Sequence, residues 1–107
     1  MVEELKALAH PLRLRILHVL SEGERNVGEI EDAAQIGQPA LSQQLGVLRK
    51  AGLVETRKDA KLVYYSLGAE PLSELADLIG KLVPGSERQA SIGRAASPGV
   101  ANFARLS

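Results

Sequence analysis

The apolar positions divide the chain into five stretches of helical period and one of strand period. Val2, Leu5, Leu8 and Ala9 recur at steps of three and four and predict a short outer helix. Pro11 follows; lacking an amide hydrogen, a proline belongs in a first helical turn, so a second helix starts there with His10 at its cap. Leu12, Ile16, Val19 and Leu20, widened by Leu14 and Leu17, give it a broad stripe as far as Ser21–Gly23, which marks a buried central helix. Asn26, with Glu29 three residues on, has the form of a capping box opening a third helix over 27–35, with Val27, Ile30 and Ala34 inward and Gly37 as its stop. Pro39 then sits at another first turn, and Leu41, Leu45, Leu48 and Ala51 keep the helical step until Gly52. Only about three residues, around Ile36–Gln38, separate these two helices; a short turn containing glycine is the sign of a helix-turn-helix.

After Gly52 the period moves towards two. Leu53–Lys58 and Leu62–Leu67 are β-favouring runs joined by Asp59-Ala60-Lys61, which predicts a hairpin ended by Gly68, with Tyr64 and Tyr65 on opposite faces of the second strand. Pro71 opens a last helix whose Leu72, Leu75, Leu78, Ile79 and Leu82 share one side, closing at Pro84-Gly85. The expected fold class is mainly α with a small β-hairpin: a winged helix-turn-helix of helices 1 to 4, a two-stranded wing and helix 5, spanning residues 1–83. Residues 84–107, with three Gly, two Pro, four Ser and five Ala, are expected to be a tail of uncertain order anchored by little beyond Ile92, Val100, Phe103 and Leu106.

Composition narrows the chemistry. A length of 107 residues suits one domain, and with one Phe, two Tyr and no Trp its core must be aliphatic. The absence of cysteine excludes a disulfide framework, a thiolate metal site, a thiol nucleophile and a thiol redox sensor. No apolar run approaches the roughly 20 residues of a membrane span, and no signal-peptide pattern opens the chain, so a cytoplasmic protein without a membrane partner is expected. Net charge is zero, but residues 38–69 hold five basic and two acidic side chains, which gives the helix-turn-helix and hairpin a locally positive character suited to phosphates.

Three stretches carry a family resemblance: Leu8-Ala9-His10-Pro11-Leu12-Arg13-Leu14-Arg15-Ile16-Leu17, Val27-Gly28-Glu29-Ile30, and Gln38-Pro39-Ala40-Leu41-Ser42-Gln43-Gln44-Leu45 continuing through Gly46-Val47-Leu48-Arg49-Lys50-Ala51-Gly52-Leu53-Val54. Together they resemble the ArsR family of bacterial repressors over about residues 3–83. The resemblance implies a homodimer that binds operator DNA and is released by an inducer.

The residues themselves also point to double-stranded DNA. A recognition helix needs short or amide side chains in its first turns, because these enter the major groove and bond base edges; Gln38, Ala40, Ser42, Gln43 and Gln44 supply them. Gln43 and Gln44 each offer a donor and an acceptor together, the pairing suited to adenine, and Ser42 can serve a base or a phosphate. Arg57, Lys58 and Lys61 cluster at the hairpin tip, where a wing reaches the backbone or minor groove, and Arg49 and Lys50 end the helix in reach of phosphates. For the dimer, Leu5 on the first helix and Leu72, Leu75, Leu78, Ile79 and Leu82 on the last form the expected interface.

The signal is narrower by exclusion. Metal sensing in the family uses cysteine pairs on the third helix or Asp and His ligands on the last; here the third helix has no thiol and the last no His. Glu74 and Asp77 without an imidazole are poor ligands for Zn²⁺ or Ni²⁺, and His10 and His18 lie roughly 12 Å apart along one helix. Gly37-Gln38-Pro39 and Leu45-Gly46-Val47-Leu48-Arg49 are most similar to the branch that senses sulfide or oxidants through two cysteines, both missing here. No metal or cofactor is therefore expected. An unknown small-molecule inducer, response through the tail, constitutive binding and an antirepressor or protein-interaction role stay open. No nucleophile cluster or phosphate loop predicts an enzyme.

Overall fold

The computed structural model describes residues 1–85, which fall into two compact units, Met1–Leu75 and a second from Ala76 onward. The expectations for residues 86–107 lie outside the described part. In chain order the elements are α1 (Val2–Leu8), α2 (Pro11–Leu20), β1 (Arg25–Asn26), α3 (Val27–Ala34), α4 (Ala40–Lys50), β2 (Val54–Asp59), β3 (Leu62–Leu67) and α5 (Ala69–Gly80).

Each helix starts where its cap chemistry dictates. The His10 Nδ1 accepts a hydrogen bond from the Leu12 amide at 3.1 Å, so α2 is capped by an imidazole with Pro11 behind it. In α3 the capping box is complete: Asn26 Oδ1 accepts from the Glu29 amide and Glu29 Oε1 from the Asn26 amide, both at 2.9 Å. The stop of α3 differs from expectation. Gln35, at φ 57° and ψ 48°, makes the left-handed turn in place of Gly37, and its Nε2 donates back to the Asp32 carbonyl at 2.7 Å. That turn delivers Ile36 into the core.

Ile16, Ile30, Leu41, Leu48, Leu53 and Val54 are fully buried, and among the described residues no polar or charged side chain is buried with them. The core is thus aliphatic, built by α2, α3 and α4 and closed by the strands. Leu14 does not widen the stripe of α2: it is 50% exposed, because two residues before Ile16 is about 200° around a helix of 3.6 residues per turn.

The wing is larger than a hairpin. β1 pairs antiparallel with β3, placing Arg25 opposite Tyr65, so the sheet has three strands in the order β1-β3-β2. Two residues are too short a run to show a period. The hairpin turn is also one residue tighter than Asp59-Ala60-Lys61: Asp59 already pairs with Leu62, and Ala60 bends the chain at φ 57°. Gly68 donates its amide to the Leu53 carbonyl at 2.8 Å, and a Cβ there would overlap the Gly52 carbonyl, which is why glycine joins wing to α5.

In the first unit Leu72 packs half-buried against the core and Leu75 is 2% exposed. Leu75, expected at the dimer interface, is therefore a core residue of its own protomer. In the second unit α5 ends at Gly80 instead of running on to Pro84; there the bonds tighten to three-residue spacing, from the Leu82 amide to the Ile79 carbonyl and from Val83 to Gly80. Leu78, Ile79 and Leu82 stand exposed. No helix among the described residues is long and apolar enough to cross a membrane.

Candidate nucleic-acid interface

Leu41, Leu45 and Leu48 are buried at helical spacing and pin one side of α4, which leaves Ser42, Gln43, Gly46, Arg49 and Lys50 exposed on the other. The start of the helix is built from Gln38. Pro39 stands at the cap position with no side-chain acceptor, and the preceding peptide is cis. Gln38 Oε1 substitutes, accepting from the Ser42 amide at 3.0 Å and from the Ser42 hydroxyl at 2.7 Å. Gln38 keeps its amide donors and Ser42 its hydroxyl lone pairs for a further partner. Ala40 is half-buried and packs against the core, so it lends closeness of approach and little contact.

The two adjacent glutamines have different surroundings. Gln43 is exposed and, among the described residues, its amide makes no hydrogen bond, so donor and acceptor are both available. Gln44 is half-buried, and its Oε1 accepts from Arg13 Nη1 at 2.7 Å. The paired reading by both glutamines is therefore corrected to one free amide and one anchored one. Arg13 also donates to the Lys6 and Ala7 carbonyls, capping the end of α1, so one guanidinium joins α1, α2 and α4. Nothing local in the sequence distinguishes this arginine, whose three partners come from two other elements.

At the wing, Lys58 and Lys61 are exposed and, among the described residues, have no ion-pair partner. Arg57 is different. Its Nε and Nη2 donate to the two carboxylate oxygens of Glu24 at 2.7 Å each, Asp59 lies 3.7 Å away, and the guanidinium stacks 4.8 Å from the Tyr64 ring centre. The hydrogen bond from Arg57 holds the Glu24 carboxyl below its ordinary range, and the same bond raises the guanidinium. Arg57 thus fastens the wing to the segment before β1 and offers phosphates less than its neighbours do. Position explains the split: Arg57 opposes Tyr64 on one face of the sheet, Lys58 alternates to the other face opposite Val63, and Lys61 lies in the turn between the strands. Glu24 is 33 residues away in sequence and gives no local signal.

Arg49 and Lys50 end α4, where positive side chains complement the carbonyl end of the helix dipole. Among the described residues, no group of three or more His, Cys, Asp or Glu converges on a possible metal position.

Residues 10–56 match the family of bacterial regulatory proteins designated arsR. Over 86 residues the chain is 46% identical to the biofilm growth-associated repressor of Xylella fastidiosa, covering 80% of this chain and 75% of that one. The chain belongs to the arsR family. It is a transcriptional regulator with the winged helix-turn-helix fold of that family, and not an enzyme. The structure of HlyU from Vibrio cholerae, a transcriptional activator, is similar at a TM-score of 0.64 and 42% identity, covering 76% of this chain and 88% of that one. A homodimeric winged helix-turn-helix domain from Mycobacterium bovis superposes at a TM-score of 0.64 with 32% identity, covering 82% of each chain.

Proposed function

We propose that this arsR-family chain acts as a homodimeric repressor that reads an imperfect inverted repeat, with α4 in the major groove and the wing on the flanking backbone. The observation that carries the reading is the exposed end of α4. There, among the described residues, Gln43 is free, Ser42 and Gln38 are aligned by their mutual bond, and Lys58 and Lys61 on the wing have no ion-pair partner. Base edges require amide or hydroxyl groups with spare donors and acceptors, and phosphates require unneutralised cations; this surface offers both. Gln38, Ser42 and Gln43 are assigned to bases, and Arg49, Lys58 and Lys61 to phosphates.

The Mycobacterium bovis domain is a homodimer, and the exposed Leu78, Ile79 and Leu82 give this chain apolar surface that a second copy would cover. Two copies related by a two-fold axis present their α4 helices to half-sites about one helical turn apart. The repressor sense follows the Xylella fastidiosa relative. We place the inducer outside thiol chemistry, since the chain has no cysteine, and outside metal chemistry, since the last helix has no His and His10 and His18 lie too far apart along one helix to share an ion. Selection of genomic fragments by the purified protein tests the assignment: enrichment of one inverted repeat is expected, and fragments sharing no sequence would contradict it.

A further inference from the structure

Between α1 and α4 lies an open cavity of about 400 Å³, within the roughly 300–1,000 Å³ typical of small-molecule sites. Its floor is apolar, formed by Ala7, Val47 and Ala51, and its rim is charged. Lys6, Arg13 and Lys50 face a single carboxylate, Glu3, whose nearest approach to Lys6 is a loose 3.8 Å with both side chains well exposed. Lys50 has no ion-pair partner among the described residues. An apolar floor under a net positive rim is the complement of a molecule with a hydrocarbon body and one anionic end.

The geometry points to a binding site for a small amphiphilic carboxylate, its chain on Ala7, Val47 and Ala51 and its carboxylate between Lys6 and Lys50 with Arg13 behind. A bare phosphate would leave the floor uncovered. Arg13 gives the site its reach, because it already donates to Gln44 at 2.7 Å. A carboxylate brings a full negative charge that the neutral Gln44 amide lacks, so the ligand competes with Gln44 for Arg13 and disturbs α4 one residue from Gln43. The site itself goes beyond the proposed function; only its consequence for DNA rests on that reading.

The test is a titration of the full chain with sodium octanoate, followed by amide-resolved NMR in the absence of DNA, so that a failure of operator recognition cannot be mistaken for an empty cavity. Saturable shifts are expected at residues 3–7, 13 and 44–51, including the Gln44 side-chain amide, with a dissociation constant of about 1 mM or tighter. Octanamide, with the same body and no charge, should bind at least about tenfold more weakly, a difference of about 1.4 kcal/mol. Lys6→Glu, at an exposed position, and Val47→Phe, which fills the floor, should each abolish the shifts while keeping the dispersion of a folded protein. Absence of saturable shifts, equal binding of octanamide, unchanged binding by both variants, or shifts centred on Leu78, Ile79 and Leu82 would overturn the assignment.

Discussion

Gln43 and Gln44 carry the same side chain, and only their neighbours distinguish them. Truncating Gln44 removes the acceptor of Arg13, whose guanidinium stays anchored by the Lys6 and Ala7 carbonyls. Gln44→Ala should therefore lower folding stability by about 1 kcal/mol in a denaturant titration. Glu24 offers a second test. Its carboxyl sits below the ordinary 4.5 because Arg57 donates to it, so the pair stabilises the fold above the unfolded pKa and loses that contribution as pH falls through the folded one. Glu24→Gln should be less stable than wild type at neutral pH. The gap should narrow below about pH 4.5 and close in stronger acid; a gap independent of pH would show that the charge is not responsible. Neither environment was legible in the sequence, because Arg13–Gln44 and Glu24–Arg57 join residues 31 and 33 positions apart. The polar character of the α4 face was legible, since leucines at helical spacing leave it nowhere else to point.

The elements divide according to how local their causes are. The starts of α2 and α3 were readable because His10-Pro11 and the Asn26–Glu29 box act within three residues. Asn26→Ala should accordingly cost about 1 kcal/mol in thermal or chemical unfolding, since it leaves the Glu29 amide without its acceptor. The ends were less readable. The stop of α3 falls on Gln35 because the side chain folds back onto Asp32, and helix-stop rules look first to Gly37. β1 escaped because its two residues are a strand only through β3. Gly68 is a boundary in sequence and structure alike, though its reason is contact with Gly52, which brings the two ends of the hairpin together. Gly68→Ala should lower the melting temperature far more than Gly46→Ala, since a Cβ at Gly46 meets nothing within 4 Å.

For the whole molecule, the proposed dimer turns on the apolar surface of the second unit. Leu82 is 76% exposed and Leu78 39%, and Leu78→Glu should convert a dimer into monomers as read by light scattering, while a wild-type monomer at micromolar concentration would refute the dimer. The central claim, that α4 reads sequence while the wing holds phosphates, is tested most directly by measuring the affinity of wild type, Gln43→Ala and Lys61→Ala for the selected operator and for random DNA across a range of salt. Gln43→Ala should lose about 1–3 kcal/mol on the operator and little on random DNA. Lys61→Ala should weaken both alike and flatten the dependence on salt. Equal losses on both DNAs for Gln43→Ala would contradict the account, because a residue that reads a base must distinguish the two.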